Sequence, residues 1–414
     1  MISMLAQMDP GAQTASASIS MGNVLAPYMP VFFAAFFVSL LLTPVMRKLA
    51  LANGVIDLPD LHRKNHAEPI AYLGGVAIFL GWLVGIGTSY FLPVHASELL
   101  QMHDMRVEVP VSLIIGASAV MLTGLFDDVY GISPRVKIGG QFFAAAALAS
   151  QNVGILLVAN SLNVVGLGHT PNWLVYILGT VVIAIFVIGG CNALNLIDGL
   201  DGLSSGVTAI AAGGFMVIAA MVAVRSLEAD PINVLNVVQG DPVRMVMCLA
   251  ILGAVLGFLP YNFNPASIFM GDAGSLLLGY LCVATILLFS DTAGRALLLV
   301  TACLIVFALP ITDTSLAIFR RKMRGQPILS PDNQHLHHLL RRSGLSVKQA
   351  VFVMYSLAIL FAAIGVTLVA MELRWRYVLA VFFVLFAFII VFAYKYGHHM
   401  ALQDKHKRAI RQAT

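Results

Sequence analysis

Charged side chains are scarce in this chain. Of its 414 residues, 11% are Asp, Glu, Lys or Arg, whereas 59% are apolar. A water-soluble core cannot absorb that apolar fraction, so the composition excludes a soluble globular domain. The apolar residues form many continuous runs that approach the roughly 20 residues needed to cross a bilayer as a helix. Continuous rather than alternating runs argue against a β-barrel.

Cysteine is also rare. The four cysteines lie in or at apolar runs, and none belongs to a Cys-x-x-Cys pair: Cys191, Cys248, Cys282 and Cys303. A pattern of this kind is typical of packing residues, and it argues against disulfides and thiolate metal ligands.

The sequence predicts an all-α polytopic membrane protein with about eleven transmembrane helices. The predicted spans are approximately 28–50, 70–92, 110–127, 138–159, 172–191, 203–225, 244–262, 273–290, 293–313, 349–371 and 374–396. The weakest is 138–159, because Gln141, Gln151 and Asn152 interrupt it. We expect an N-terminal tail at 1–27, a single transmembrane domain at 28–396 that carries any catalytic site, and a basic tail at 397–414. Residues 1–27 lack Lys and Arg, so they do not resemble a cleaved secretory signal.

The basic residues predict the orientation of the spans. Most of the 24 Lys and Arg residues fall in loops that an odd number of spans places on one face. The positive-inside rule assigns that face, with the C-terminus, to the cytoplasm and the N-terminus to the outside. The exceptions are Arg106, Arg225, Arg244, Arg295, Arg374 and Arg376. The loops with unusual polar residues share the basic face, which favours one site on one side of the membrane.

The most unusual of these loops is Asn192–Gly206, NALNLIDGLDGLSSG. Asn192, Asn195, Asp198 and Asp201 recur every three residues. If the preceding helix continues through them, they share roughly one face. Carboxylates on one face repel each other unless a cation or a proton compensates them. The alternative is a polar interhelical loop with turn glycines.

Two further acidic motifs end or begin apolar runs. Asp127 and Asp128 close the third run, and Lys137 follows ten residues after Asp127, where it could neutralise a phosphate. Ordinary helix-end charge is the alternative, but the helix dipole disfavours acids at a C-terminus. The segment Asn262–Gly274, NFNPASIFMGDAG, carries Asp272. Phe269 precedes this acid; spacing alone favours a membrane-interface anchor over a platform for a base.

Two basic loops complete the set. The loop 314–348 contains His335, His337 and His338 among many arginines. Zinc is one interpretation, although spacing fixes no third ligand; imidazoles among arginines suit a diphosphate better. A lipid-headgroup patch is the ordinary alternative for such a basic loop. The first basic loop adds Arg63, Lys64 and His66.

Oxygen ligands in excess favour Mg²⁺, with Mn²⁺ as the alternative. Together the loops predict metal-dependent phosphoryl transfer from a soluble phosphorylated donor to a lipid acceptor. A cation-coupled transporter is the non-enzymatic alternative, but its acids should lie in mid-span. CDP-alcohol phosphatidyltransferases continue Ala-Arg after their first Asp-Gly, which DGLDGLSSG does not.

Four motifs, in this order, resemble those of the polyprenyl-phosphate N-acetylhexosamine-1-phosphate transferases, the family that includes MraY and WecA: GLFDDVYGISPRVK, NALNLIDGLDGLSSG, NPASIFMGDAGS and DNQHLHHLL. The resemblance extends from about Leu42 to Arg342. The His-x-His-His form is similar to the WecA branch, whereas MraY proteins have three consecutive histidines. EPIAYLGG departs from the family, where a Pro-Arg pair often precedes the glycines.

The resemblance implies a reaction and a location. N-acetylglucosamine 1-phosphate would move from UDP-GlcNAc to undecaprenyl phosphate with release of UMP, starting a cell-envelope polysaccharide of the O-antigen, common-antigen or teichoic-acid type. Another UDP-N-acetylhexosamine or UDP-MurNAc-pentapeptide is the alternative donor. The enzyme would lie in the bacterial cytoplasmic membrane with its active site facing the cytoplasm. The bilayer is the expected partner, a second copy of the chain is a candidate partner, and nucleic acid is not expected.

The resemblance also implies roles for individual residues. Asp272 and Asp201 would bind Mg²⁺, and Asp127 and Asp128 would be catalytic. The residues implied to bind the nucleotide sugar are Asn195, Asp198, Asn262, Phe269, His335, His337 and His338, with Phe269 stacking on uracil. The basic residues of the same loops that we predict to bind phosphate are Lys137, Arg63 and Arg341.

Overall fold

The computed structural model describes residues 20–57, 70–92, 107–229, 234–292, 294–323, 325–327, 335–388, 390–391 and 395. Two short antiparallel strands, β1 (Ile56–Asp57) and β2 (Ile70–Ala71), accompany the helices. The helices are α1 (Met21–Leu25), α2 (Met29–Ala52), α3 (Gly74–Ser89), α4 (Val111–Tyr130), α5 (Pro134–Ser150), α6 (Ile155–Val164), α7 (Asn172–Ile197), α8 (Leu203–Ala229), α9 (Val234–Asn262), α10 (Gly271–Leu288), α11 (Ala296–Val306), α12 (Ala308–Met323), α13 (Leu336–Arg342), α14 (Val347–Ala370) and α15 (Trp375–Phe388).

The helices confirm an all-α polytopic membrane protein. Within the described ranges, seven helices are long and apolar enough to cross a membrane, or up to nine if each of two bent helix pairs counts as one span. Helices α3 and α15 are apolar but shorter. The predicted number of eleven spans requires both of these to cross as well, so that number and the sidedness of the membrane stay predictions.

The two bent pairs have local causes. Helices α5 and α6 meet at 68°, where Asn152 and Gly154 adopt left-handed backbone conformations with φ of 59° and 94°. This break falls in the run whose polar residues made it the weakest predicted span. Helices α11 and α12 meet at 74°. Pro310 cannot continue α11, because its ring would clash with the carbonyl of Val306, the last residue of that helix.

Helix α10 lies at the centre of the bundle. It packs against α3, α4, α7, α8 and α9, and each of its residues is buried except Asp272. The neighbouring helices approach through glycines, as in many membrane bundles. A Cβ atom at Gly75 of α3 would lie 2.2 Å from the Gly274 nitrogen, and one at Gly124 of α4 would lie 2.4 Å from the Asp272 carbonyl oxygen. The start of α10 is therefore fixed between two other helices.

The segment before α10 is joined to the segment before α3. The Phe269 N–H donates to the Ala71 carbonyl at 2.9 Å, and the Gly74 and Gly75 N–H groups donate to the Phe269 and Met270 carbonyls at 3.0 and 2.9 Å. The chain around Phe269 thus adds to the small sheet instead of forming an independent loop. This pairing fixes where α10 begins and where its first acid lies.

Candidate active site

The motif acids from separate helices meet at Lys137. The Lys137 ammonium lies 2.6 Å from the Asp127 Oδ2 atom and also contacts Asp272 Oδ2. Asp127 ends α4, Lys137 lies in the first turns of α5, and Asp272 begins α10. Asn195 Nδ2 of α7 donates to the other Asp272 oxygen at 2.8 Å. The structure therefore brings together four of the predicted site residues around one carboxylate.

Asp128 has a different environment from its neighbour Asp127. Its two carboxylate oxygens accept the backbone N–H groups of Asp272 and Ala273 at 2.8 and 3.0 Å. Asp128 therefore caps the N-terminus of α10, where unpaired N–H groups and the helix dipole favour a negative charge. Gly271 makes the close approach feasible, since it has φ of 68° and a Cβ there would lie 2.4 Å from Asp128 Oδ2. This contact makes Asp128 a residue that positions Asp272.

The Asn192–Gly206 stretch does not continue as one helix. Helix α7 ends at Ile197, and Asp198 takes a non-helical conformation with ψ of 51°. Asn192 donates to Gln141 Oε1 at 3.0 Å, so it faces α5 and not the site. The prediction that Asn192, Asn195, Asp198 and Asp201 share one helical face is therefore wrong. The two asparagines lie near the end of α7, and the two aspartates lie in the following turn.

That turn borders a cavity of about 280 Å³. The lining residues are Asp57, Tyr72, Asn195, Asp198, Gly199, Leu200, Asp201, Asn262, Asn264, Phe269, Gly271, Asp272, His338 and Val347. Asp198 makes no hydrogen bond with the residues that the structure describes. Burial, followed by the nearby Asp272, Asp128 and Asp201 carboxylates, raises the pKa of Asp198 well above its usual value. An incoming cation would relieve this repulsion.

Two other predicted residues, Asp201 and Asn262, line the cavity but form hydrogen bonds with neighbouring residues of its wall. Asp201 Oδ2 accepts from Asn264 Nδ2 at 2.8 Å and from the Ala266 N–H at 3.0 Å. Asn262 is buried, accepts from Ser205 and donates to the Ile268 carbonyl. Both side chains thus hold the 262–268 loop against the 198–205 turn. The metal-binding role of Asp201 stays a prediction.

Phe269 is not a membrane anchor. Its half-buried ring lines the cavity and lies 6.1 Å from the Tyr72 ring, with 49° between the planes. The interpretation from spacing alone is therefore wrong, because the pairing with β2 directs this segment back into the protein. The position on the cavity wall agrees with the stacking role that the family resemblance implies.

The three histidines form one cluster with an unexpected partner. His335 Nδ1 lies 2.8 Å from Asp313 Oδ2, and the other Asp313 oxygen accepts the Leu336 N–H at 2.8 Å. The His335 and His337 rings stack with centroids 5.7 Å apart, and His337 lies 4.2 Å from His338. Only His338 reaches the cavity lining. Asp313 thus anchors the start of α13 and presents the cluster to the cavity.

His337 is the buried member of the cluster. It is 1% exposed, and neither ring nitrogen has a hydrogen-bond partner among the described residues. Burial, together with the neighbouring His338, lowers the pKa of His337 to about 3. Its Nε2 faces Gly199, where a Cβ atom would lie 2.4 Å away. A neutral ring therefore packs directly against the cavity turn.

Of the two arginines predicted to bind phosphate, the structure describes Arg341 alone, and it lies away from the cavity lining. Arg341 donates to the Leu345 carbonyl at 2.7 Å, which closes the end of α13, and it does not line the cavity. Arg63 lies outside the described residues. Their phosphate-binding roles stay predictions.

Sequence reasoning missed four residues of the site. Asp57, Tyr72 and Asn264 line the cavity, and Asp313 holds His335. Asn264 lay within a quoted motif, and Tyr72 within the departing EPIAYLGG segment, but nothing in the sequence marked Asp57. Asp313 is the last residue of the predicted span 293–313, and no local pattern connects it to the histidines.

The carboxylates fit a divalent cation. The Lys137 ammonium touches both Asp127 and Asp272, so these two oxygens already flank one positive charge. In the part of the chain that the structure describes, no group of three or more His, Cys, Asp or Glu side chains is arranged as a complete metal site. Mg²⁺ does not require such a cage, because it binds through one or two carboxylates plus substrate phosphates and water.

The sequence was compared with protein-family models and with known proteins. Residues 110–290 match the family described as glycosyl transferase family 4. The chain is 32% identical to the probable undecaprenyl-phosphate N-acetylglucosaminyl 1-phosphate transferase of Bacillus subtilis, over 81% of this chain and 84% of that relative. It is 30% identical to the decaprenyl-phosphate N-acetylglucosaminephosphotransferase of Mycolicibacterium smegmatis, over 84% of each chain. It is also 30% identical to the phospho-N-acetylmuramoyl-pentapeptide-transferase of Bacillus thuringiensis, over 80% of this chain and 94% of that relative.

These relatives act on polyprenyl phosphates or transfer phospho-sugars, and each aligns with most of the chain. The matched family range, 110–290, includes the helices that carry Asp127, Asn195 and Asp272. The chain belongs to the polyprenyl-phosphate N-acetylhexosamine-1-phosphate transferase family, which includes MraY and WecA.

Proposed function

We propose that this membrane transferase moves N-acetylglucosamine 1-phosphate from UDP-GlcNAc to undecaprenyl phosphate and releases UMP. The observation that carries the proposal is the contact of Lys137 with both Asp127 and Asp272 at the edge of the polar cavity. One cation beside two carboxylates supports a site at which a diphosphate and a lipid phosphate would meet. Two of the relatives quoted above are named for N-acetylglucosamine and a polyprenyl phosphate.

The cavity supplies a donor site of suitable chemistry. Phe269 offers an aromatic face for uracil, since stacking on a base is worth about 1–3 kcal/mol. Asn195, Asn264 and His338 border the same space and can hydrogen-bond to sugar or phosphate oxygens. His337 packs behind the turn at Gly199, and so it fixes the shape of this wall.

An apolar groove supplies an acceptor site. It has a volume of about 250 Å³ and lies between α7, α10, α11, α12 and α15, with mostly aliphatic and aromatic lining residues. Ala193 and Thr314 belong to its lining. Ala193 lies two residues before Asn195, and Thr314 lies one residue after Asp313. A prenyl chain in the groove would therefore have its phosphate beside the polar site.

The chemistry is a displacement at phosphorus. An oxygen of the lipid phosphate bonds to the β-phosphorus of the donor, and the bond from that phosphorus to the bridging oxygen breaks, so that UMP leaves. The attacking phosphate is already largely anionic near neutral pH, so positioning and charge neutralisation supply most of the catalysis. Lys137 neutralises charge at the phosphates, and Asn195 orients Asp272.

Asp272 and Asp127 are the side chains that would hold Mg²⁺, with Asp198 facing the same space. When bound, the ion neutralises charge on the diphosphate oxygens. The family resemblance also makes Asp127 the candidate general base. We further propose that the site faces the cytoplasm of a bacterial cell and that the product starts a cell-envelope polysaccharide. The positive-inside bias and the nucleotide donor support this orientation.

A second donor is UDP-MurNAc-pentapeptide, which the 30% identical pentapeptide transferase favours. The His-x-His-His spacing favours UDP-GlcNAc. A donor panel with purified protein, radiolabelled undecaprenyl phosphate and a Mg²⁺ and Mn²⁺ titration separates the two. We expect UMP release with UDP-GlcNAc and none without a divalent cation. Transfer from UDP-MurNAc-pentapeptide alone would refute the proposed donor, and metal-independent transfer would refute the proposed ion.

A further inference from the structure

A second polar cavity lies far from the transferase site. It has a volume of about 450 Å³, and we call it the far-face pocket. Its lining residues are Arg225, Gly294, Arg295, Leu298, Glu372, Leu373, Arg374, Trp375 and Arg376. None of them lines the transferase cavity. Six arginines are exceptions to the predicted positive-inside pattern, and four of them line this pocket: Arg225, Arg295, Arg374 and Arg376.

The two cavities lie at opposite ends of the bundle. Val347, at the start of α14, lines the transferase cavity, and Glu372 lies just beyond the end of that helix. A helix of 24 residues spans about 36 Å. Helix α8 runs in the same direction, from Leu203 beside the 198–202 turn to Arg225 in its final turns. The far-face pocket therefore faces the opposite membrane surface from the transferase site.

The far-face pocket has more positive than negative charge. Glu372 Oε1 lies 3.3 Å from Arg225 Nη1 and 3.7 Å from Arg295 Nη2, so one carboxylate serves two guanidinium groups. Arg374 and Arg376 have no ion-pair partner among the described residues. The Arg376 guanidinium lies over the Tyr377 ring, 5.1 Å from its centroid. Like charges gathered in one concave space repel each other unless an anion joins them.

The backbone holds this arrangement in place. Arg225 donates to the Val369 and Ala370 carbonyls at 3.0 Å each, which satisfies the end of α14. Glu372 follows with φ of 50°, a conformation that turns the chain into α15. The far-face pocket is thus built where α8 and α14 end and where α11 and α15 begin, so little ordering would accompany binding.

The lining combines anion recognition with a membrane-interface character. Guanidinium groups match phosphate oxygens through two parallel hydrogen bonds. Trp375 is of the type enriched at membrane interfaces, and Leu298 and Leu373 provide apolar walls. A free phosphate ion would use the arginines but not these walls. We propose that the far-face pocket binds the phosphate of an anionic phospholipid headgroup in the leaflet opposite the transferase site.

The test uses the full chain in phosphatidylcholine nanodiscs with added phosphatidylglycerol. Native mass spectrometry counts retained phosphatidylglycerol, and thermal unfolding reports the ligand-induced shift. We expect the wild type to retain the lipid and the Arg374→Gln/Arg376→Gln variant to bind it about tenfold or more weakly, since charged hydrogen bonds are lost. Arg374→Lys keeps the charge without the two-pronged geometry and should fall between them.

The matched control is Lys48→Gln/Arg135→Gln, which removes two exposed basic residues elsewhere and should retain the lipid. Equal retention by the wild type and the arginine variant would overturn the proposal. Sodium phosphate without phosphatidylglycerol forms the other arm. A thermal shift with phosphate alone that the arginine variant abolishes, with no specific lipid retention, would assign the pocket to a soluble anion and refute the lipid. Unaltered transfer of sugar phosphate by the variant would verify its fold.

Discussion

The carboxylate of Asp128 accepts the backbone N–H of Asp272 at 2.8 Å. The acid that ends α4 therefore fixes the acid that begins α10, although 144 positions separate them. Asp127, its neighbour in sequence, instead faces Lys137. Two adjacent identical side chains thus have different contacts.

The different contacts of Asp127 and Asp128 predict different losses. Asp128→Asn places an amide donor against one of two backbone donors, so we expect a stability loss of about 1–3 kcal/mol together with reduced turnover. Asp127→Asn should reduce turnover with little change in stability. Thermal unfolding and UMP release measured on both variants check this. If Asp127→Asn lost as much stability as Asp128→Asn, the division between them would be wrong.

Asp272 has the most direct chemical prediction. Asp272→Asn keeps the shape and the α10 packing but removes the charge that faces Lys137 and the proposed ion. We expect UMP release from UDP-GlcNAc to disappear while the protein inserts and purifies normally. The control is Ser275→Ala, which removes a hydroxyl bonded to Asn195 at 3.0 Å and should be milder. Turnover retained by Asp272→Asn would remove Asp272 from the metal site.

Phe269 should control donor affinity. Phe269→Leu removes the aromatic face but keeps an apolar side chain, so we expect the KM for UDP-GlcNAc to rise by about tenfold or more, in line with the usual worth of base stacking. Phe269→Tyr preserves the ring and is the matched control. Steady-state kinetics at varied donor concentration measures the difference. A KM that is the same for the Leu and Tyr variants would contradict stacking.

His337 should make stability depend on pH. Its folded pKa of about 3 lies below the unfolded value of about 6.5. Between these pH values the unfolded chain therefore binds a proton at His337 and the folded chain does not. The stability it contributes is intact above pH 6.5 and decreases by up to about 1.4 kcal/mol per pH unit as pH falls towards 3. Denaturant unfolding of wild type and His337→Gln between pH 4 and 8 measures this. Parallel stability curves would contradict a buried neutral ring.

The sequence predicted the convergence of the motif acids, because long motifs at span ends identify the residues. It did not predict the partner of His335. Asp313 lies 22 residues earlier, and only the 74° bend between α11 and α12 carries α12 towards the histidines. The interpretation of Phe269 as a membrane-interface anchor was wrong for a similar reason, because a strand pairing of two residues leaves no periodic signal in the sequence. Long-range pairings of this kind depend on tertiary packing that local patterns do not encode.

The packing of the buried helix α10 determines the position of Asp272 in the proposed active site. Asp272 is the one side chain of that helix with access to the cavity, and the rest of α10 is clamped by glycines of its neighbours. Enlarging Gly124 or Gly75 by a single methyl group would displace the helix and carry its terminal acid out of register with Lys137. Residues that never meet the substrates thereby set the alignment of the reacting groups, so a survey of every substitution should find many of its inactive variants at the buried helix contacts of α10.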